Sequence, residues 1–111
     1  TSQSYMTYER CLSIIQQEFR EMKSISNLAD QCHISTGYLS RIFRKYAGES
    51  PSEILTRLKL NHAGELLLQD NLLIKEVADR IGYDDPYHFS RLFKNFYGMS
   101  PKHFRESVSR S

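Results

Sequence analysis

The chain has 111 residues, of which 40% are hydrophobic and 25% are charged, and its formal net charge is +2. This composition is typical of one ordinary globular domain or two very small lobes, and the charge is too small to indicate nucleic-acid binding by itself. The sequence has no charged-then-apolar leader and no apolar run of membrane-spanning length, so we expect neither secretion nor membrane insertion, and a cytoplasmic location.

The first predicted helix covers residues 7–23. Apolar side chains recur there every three or four residues, as they do on one face of an amphipathic helix. We expect this face to complete the core of a first lobe. Its members are Tyr8, Leu12, Ile15, Phe19 and Met22.

The rest of the chain contains an internal repeat. Residues 25–36 align with residues 74–85, and after one inserted residue 39–51 align with 89–101. Nine of the 25 aligned pairs are identical, which is more than composition explains. The identical pairs are Ile25/Ile74, Ala29/Ala78, Asp30/Asp79, Ser40/Ser90, Arg41/Arg91, Phe43/Phe93, Gly48/Gly98, Ser50/Ser100 and Pro51/Pro101.

Each repeat predicts a helix-turn-helix unit, in which a short helix and a tight turn precede a second helix that ends at Gly48 or Gly98. The alternation of apolar and polar residues that marks a strand is absent, so we predict an all-α fold. The predicted core positions are Leu28, Ala29, Cys32, Leu39, Ile42, Phe43 and Tyr46 in the first unit, and Val77, Ala78, Ile81, Phe89, Leu92, Phe93 and Phe96 in the second.

Three helix starts are marked by a capping residue directly before a proline. Residues 50–51 and 100–101 are Ser-Pro, and residues 85–86 are Asp-Pro. Glu53 completes a capping box in the first of these, with proline at the first helical position. The adjacent acids at 84–85 could be taken for a catalytic pair, but an aspartate directly before proline at a helix start favours a cap.

A long helix is predicted between the two units, over residues 51–69. At 1.5 Å per residue it would span roughly 28 Å. If the second helices of the two units bind DNA, this linker would hold them near the roughly 34 Å repeat of B-DNA. Its apolar stripe consists of Ile54, Leu55, Leu58, Ala63, Leu66 and Leu67.

The second helix of each unit turns a polar face outward. Any amphipathic helix has such a face, but Arg41 and Arg91 occupy matching outward positions, which solvent exposure alone does not explain. Arginine and lysine can bond guanine edges or phosphates, and hydroxyls can reach either. The candidate DNA contacts are Gly37, Tyr38, Ser40, Arg41, Arg44 and Lys45 in the first unit, and Tyr87, His88, Ser90, Arg91, Lys94 and Asn95 in the second.

Residues 74–105 read IKEVADRIGYDDPYHFSRLFKNFYGMSPKHFR. With this segment as its strongest match, the chain from about Ile25 to Arg105 resembles the DNA-binding domain of the AraC/XylS family of bacterial transcription regulators. The resemblance implies a homeodomain-like, AraC-type fold of seven helices, with residues 36–47 and 86–97 entering successive major grooves. It implies that the base-reading candidates are Gly37, Ser40, Arg41, Tyr87, Ser90 and Arg91.

Gly37 departs from the family pattern, because a longer side chain often reads bases at this position. The predicted organisation is an AraC-type DNA-binding domain over 1–111, with a first lobe at 7–48, the linker helix at 51–69 and a second lobe at 73–107. The resemblance implies double-stranded DNA and RNA polymerase as partners, a role in activating transcription, and a separate sensing or dimerisation domain in a longer protein. We expect no cofactor and no metal.

Two other functions compete with this interpretation. Enzyme chemistry is disfavoured because the histidines do not cluster and no catalytic motif is present. The two cysteines are too few for a zinc site, and we interpret them as reduced core residues. A protein-interaction module on a helix-turn-helix scaffold remains the alternative, with Tyr5, Tyr8 and Tyr38 available for its surface. The residues weighed for enzyme chemistry are His33, His62, His88, His103, Cys11 and Cys32.

Overall fold

The computed structural model describes residues 2–69 and 71–109, except for the side chain of Ser109, and these residues form seven α-helices and no strand. The predicted all-α, seven-helix fold is thus confirmed. Among the described residues, none of the helices combines the length and the hydropathy that a membrane-spanning segment needs. The helices are α1 (Gln3–Glu18), α2 (Ser26–Gln31), α3 (Thr36–Ala47), α4 (Pro51–Leu67), α5 (Ile74–Arg80), α6 (Pro86–Tyr97) and α7 (Pro101–Ser109).

The chain divides into two compact units between Leu58 and Lys59, inside α4. Helix α4 therefore contributes to two separate cores: its first half supplies Ile54 and Leu55 to one, and its second half supplies Leu60 to the other. The first unit contains α1, α2 and α3, and the second contains α5, α6 and α7.

The first core is built from α1, α2, α3 and the start of α4. The two cysteines lie inside it as free thiols, with Cys11 Sγ donating a hydrogen bond to Cys32 Sγ at 2.9 Å. Burial, together with this hydrogen bond, raises the pKa of the Cys11 thiol to about 12. The expectation of reduced core cysteines is confirmed. The buried members are Cys11, Ile15, Met22, Leu28, Ala29, Cys32, Leu39, Ile42, Phe43, Ile54 and Leu55.

The second core is dominated by aromatic rings. Phe93 stacks on Tyr97 with ring centroids 4.4 Å apart, and it makes a T-shaped contact with Phe104 of α7 at 5.4 Å. Such pairs add to the stabilisation from buried area because ring edges and faces carry opposite partial charge. The buried members are Leu60, Ala63, Leu66, Leu67, Leu72, Val77, Ala78, Ile81, Phe89 and Phe93.

Helix α1 differs from its predicted bounds, since it begins at Gln3 rather than residue 7 and ends at Glu18 rather than residue 23. Its early start is stabilised by Ser2, whose hydroxyl accepts a hydrogen bond from the N–H of Tyr5 at 3.1 Å. Met22 lies beyond the helix but is still buried in the first core. The apolar periodicity thus continues past the residues that are helical.

One of the predicted core positions is wrong. Phe96 is 42% exposed, while its neighbour Tyr97 packs against the second core. Phe89, Phe93 and Tyr97 are spaced by four residues, so their side chains follow one line along α6 and Phe96 falls beside that line. The hydroxyl of Tyr97 donates to the carbonyl oxygen of Leu60 at 3.3 Å, which gives its polar end a partner inside the unit.

The turn between the two helices of each unit has the same hydrogen bonding in both copies. His33 N–H donates to Asp30 O at 3.2 Å, and Gly82 N–H donates to Asp79 O at 3.1 Å. Both residues lie in the left-handed region, with φ of 58° for His33 and 91° for Gly82. His33 is therefore a turn residue, and the conformation that glycine adopts without strain is imposed on a histidine in the first unit.

We expect Gly82→Ala to lower the free energy of unfolding by about 1–2 kcal/mol, because a Cβ is strained at this φ. His33→Gly should instead leave it unchanged or raise it by up to about 1 kcal/mol, since strain is relieved while chain entropy is lost. Urea unfolding followed by circular dichroism measures both. A His33→Gly loss of more than about 1 kcal/mol would contradict this account of the turn.

Gly64 lies where α4 packs closely against the aromatic cluster of the second unit. A Cβ at this position would lie 2.8 Å from the hydroxyl oxygen and 3.4 Å from Cζ of Tyr97. The ring of Tyr97 is packed against Phe93 and Phe104, so it has little room to move aside.

Gly64→Ala is therefore expected to lower the free energy of unfolding by about 1–3 kcal/mol, despite the higher helix propensity of alanine. Gly37→Ala is the matched control, because the nearest atom to a Cβ there is Ser35 Oγ at 4.0 Å. The loss should shrink when Tyr97→Phe removes the hydroxyl, as a double-mutant cycle in urea would measure. Equal losses in the two backgrounds would locate the clash elsewhere.

Candidate nucleic-acid interface

Helices α3 and α6 are each fixed by an apolar face that is buried in their own unit. Leu39, Ile42 and Phe43 of α3 are buried, and so are Phe89 and Phe93 of α6. Because these positions recur every three or four residues, the opposite face of each helix must point to solvent.

The two helices share the same length and the same chemistry at both ends. Ser35 accepts a hydrogen bond from the N–H of Tyr38 at 3.1 Å, and Asp85 accepts one from the N–H of Tyr87 at 2.9 Å. Each helix has 12 residues and ends at a glycine in the left-handed region, Gly48 or Gly98. The predicted bounds of both helices and the predicted cap at Asp85 are confirmed.

The structure places the sequence-predicted residues of the first unit on the outer face of α3. Tyr38 differs from the others, since it is half-buried and packs against the first core. Arg41 and Arg44 follow Gly37 by four and seven residues, so these positions lie along one line of the helix. The exposed members are Gly37, Ser40, Arg41, Arg44 and Lys45.

The cations of α3 are arranged by neighbouring side chains. The guanidinium carbon of Arg41 lies 5.6 Å from the ring centroid of Tyr38, and Lys45 Nζ lies 5.2 Å from that of Tyr46. These cation–π contacts position the charges while leaving their donors open to solvent. The hydroxyl of Tyr46 contacts Ser4 Oγ at 2.6 Å and Ser2 Oγ at 3.2 Å, which ties the start of α1 to α3. These hydrogen bonds lower the pKa of Tyr46.

The outer face of α6 carries the second set of sequence-predicted residues. Tyr87 in its first turn is 77% exposed, although it is a large aromatic residue. Ser90 is half-buried at the edge of this face, as its position on the helix predicted. The other members, all exposed, are His88, Arg91, Lys94 and Asn95.

Tyr83 contacts the first turn of α6 and was missed by the sequence interpretation. Its ring lies 5.8 Å from His88 and 6.0 Å from Phe89 between centroids, and Lys59 Nζ lies 5.2 Å from its centroid. Lys59 is only 4% exposed. The sequence does contain a signal that Lys59 is buried. It lies four residues after Leu55 and four before Ala63, on the buried side of α4.

The two faces are equivalent in register but differ in side chains. Arg41 and Arg91 both lie six residues after the capping residue of their helix. Gly37 and Tyr87 both lie two residues after it, so the first turn of α3 offers no side chain where α6 offers an exposed phenol. The chemistry available at both faces is that of hydrogen-bond donors for phosphate oxygens and base edges.

A family model described as a helix-turn-helix domain matches residues 28–107. The crystal structure of a transcriptional regulator from Chromobacterium violaceum, described as an AraC-type DNA-binding domain-containing protein, aligns with a TM-score of 0.80 and 27% identity, over 93% of this chain and 92% of that one. The chain belongs to the AraC family. This AraC-family assignment places it among the DNA-binding domains of transcription regulators and not among enzymes.

Other proteins match over most of the chain. The raffinose operon transcriptional regulatory protein RafR of Pediococcus pentosaceus is 31% identical over 101 residues, which cover 91% of this chain and 36% of RafR. The C-terminal domain of AraT, a response regulator from Geobacillus stearothermophilus, aligns with a TM-score of 0.87 and 34% identity, over 96% of this chain and 88% of that one. The chain spans about a third of the length of the curated relatives it matches.

Proposed function

We propose that this AraC-family domain binds double-stranded DNA sequence-specifically as a monomer, with α3 and α6 as recognition helices in successive major grooves. The observation that carries the proposal is the repeated register of Arg41 and Arg91, each six residues after a capped helix start and each exposed. Two helices with buried inner faces and matching outer arginines supply two reading surfaces in one chain.

Within each recognition helix, different side chains are suited to different contacts with DNA. Arg41 and Arg91 near the middle of their helices can form bidentate hydrogen bonds with guanine O6 and N7. Arg44 and Lys94, one turn later, are suited to phosphate oxygens, which fix orientation without reading sequence. Tyr87 can present its phenol to a base or a phosphate, whereas Gly37 permits only backbone approach.

The sequence resemblance supports a wider role that we include in the proposal. In the complete protein, this domain would direct a sensing or dimerisation domain to an operator in the cytoplasm and activate transcription through contact with RNA polymerase. RafR is named as the regulator of an operon, and its matched segment is likewise about a third of its length. The proposal includes two DNA-binding lobes at 7–48 and 73–107 and a connecting segment at 51–69, of which residues 51–67 are helical.

A protein-interaction module on the same scaffold is the competing function, and salt dependence separates the two. Affinity for duplex DNA falls steeply with salt, because each phosphate contact releases condensed counterions. A protein-only module would bind random duplex weakly even at low salt and with a shallow slope.

We expect one chain to occupy a minimal site of about 16–20 base pairs, with two sequence-specific segments one helical turn apart. Selection of bound duplexes from a random pool would define the site, and sedimentation of the complex would give the stoichiometry. Two chains on the minimal site, or a selected site with a single short specific segment, would show that one chain does not bind with both recognition helices.

Arg41→Ala and Arg91→Ala should each weaken specific binding by about 1–3 kcal/mol and relax base preference in one half of the site. Lys94→Ala should weaken binding to all sequences alike and reduce the slope of log affinity against log salt by about one. Fluorescence anisotropy with the selected and a random duplex measures both. If both arginines can be replaced without loss of specific affinity, the reading faces lie elsewhere.

A further inference from the structure

An acidic side chain lies beside the cations of the first recognition helix. Glu53 in the first turn of α4 faces Arg44 of α3, with 3.5 Å between Glu53 Oε1 and Arg44 Nη2. The side chains of Arg44 and Glu53 are 63% and 56% exposed. The pair is therefore open to solvent on the face that carries the candidate DNA contacts, and a phosphate can approach it.

The carboxylate of Glu53 is held in position by the cap of α4. Ser50 Oγ accepts a hydrogen bond from the N–H of Glu53 at 3.1 Å and donates its own proton to Glu53 Oε1 at 3.2 Å. The backbone of Arg44 is fixed as well, because its carbonyl oxygen accepts the hydrogen bond from the capping Gly48. Two capped helix ends thus present an anion to a cation before any ligand binds.

The second unit provides an internal comparison. Lys94 lies nine residues after the cap of α6, in the register of Arg44, and His103 lies three residues after Ser100, in the register of Glu53. Within residues 2–69 and 71–109, Lys94 has no acidic partner. The two units therefore differ in whether the cation on the last turn of the recognition helix faces a carboxylate.

We propose that Glu53 competes with DNA phosphate for Arg44 and so lowers the sequence-independent affinity of the first unit for the DNA backbone. The inference rests on the proposed function, since it requires α3 to face DNA. To contact a phosphate, Arg44 must share its guanidinium or leave Glu53, and the carboxylate itself repels the phosphate. In the second unit Lys94 contacts phosphate without this competition.

The expected effect is modest, because exposed ion pairs are weak. Glu53→Gln should raise affinity for a random duplex by roughly two- to fivefold at about 50 mM salt. The gain should shrink at about 200 mM salt, where interactions between exposed charges are screened. Binding to the selected site should gain by the same factor, because phosphate contacts do not read sequence.

Glu49→Gln is the matched control for the gain in net positive charge. Glu49 binds Arg57 of α4, with 2.7 Å and 2.8 Å from Arg57 Nη1 to its two carboxylate oxygens, and Arg57 lies outside both recognition helices. Glu53→Gln keeps an amide oxygen that can accept the proton of Ser50. Circular dichroism and thermal unfolding of both variants verify that the helices are retained.

A double-mutant cycle tests whether Glu53 acts through Arg44. In an Arg44→Gln background, Glu53→Gln should no longer raise affinity, because the contested cation is absent. The reciprocal change is His103→Glu in the second unit, which places a carboxylate in the register of Glu53, as Lys94 is in the register of Arg44. It should lower affinity by a similar factor, and Lys94→Gln should abolish this effect.

The outcomes separate the inference from the proposed function. Absence of salt-dependent duplex binding by the unaltered protein would overturn both. If binding is salt-dependent, three results would overturn only the inference. Glu53→Gln could leave the affinity unchanged, Glu49→Gln could raise it equally, or the gain from Glu53→Gln could persist without Arg44. A gain specific to Glu53 and dependent on Arg44, mirrored by a loss from His103→Glu, is the result we expect.

Discussion

Burial of one face of α3 and one face of α6 is the constraint on which the rest of the structure depends. Removing a side chain such as Phe43 or Phe93 from its core would cost about 1.5–3 kcal/mol each, whereas an exposed ion pair contributes about 0–1 kcal/mol. Apolar packing therefore decides the rotation of each helix about its axis, and the polar residues take the positions that remain. Arg41 and Arg91 therefore point outward because the apolar side chains on the opposite face of each helix are buried.

The internal repeat preserves backbone requirements more strictly than side chains. Both units use a residue with positive φ in the interhelical turn and a left-handed glycine after the second helix, because these conformations set the angle at which the chain continues. Histidine replaces glycine in the first turn, and glycine replaces tyrosine at the start of the first outer face. Two units of one architecture thus present different chemistry to a ligand.

Local charge matters more in this domain than net charge. The formal charge of +2 says little about DNA, yet α3 alone presents Arg41, Arg44 and Lys45 on one side. Charges at this density act over about a Debye length, roughly 8–10 Å at physiological salt, so their arrangement on the helix is more important than the total. The position of Glu53 next to Arg44 shows that a single carboxylate can modify such a surface.

Much of the fold could be predicted from the sequence alone. Helical periodicity, capping residues and terminal glycines are local signals, because each depends on residues within about one turn, and they determined the bounds of α3 and α6 together with the register of Arg41 and Arg91. The internal repeat then predicted that the helix-turn-helix unit occurs twice. These signals act along the chain, so no knowledge of packing was required.

Other features were decided only by tertiary structure. Tyr97 rather than Phe96 enters the second core because Phe93, Phe104 and the carbonyl of Leu60 create a place for its ring and hydroxyl. Lys59 of α4 contacts Tyr83 in the turn between α5 and α6, and Glu53 of α4 contacts Arg44 of α3, so both distances depend on how these segments pack. Periodicity shows which face of a helix is apolar, but it contains no information about which partner that face or its edge will meet.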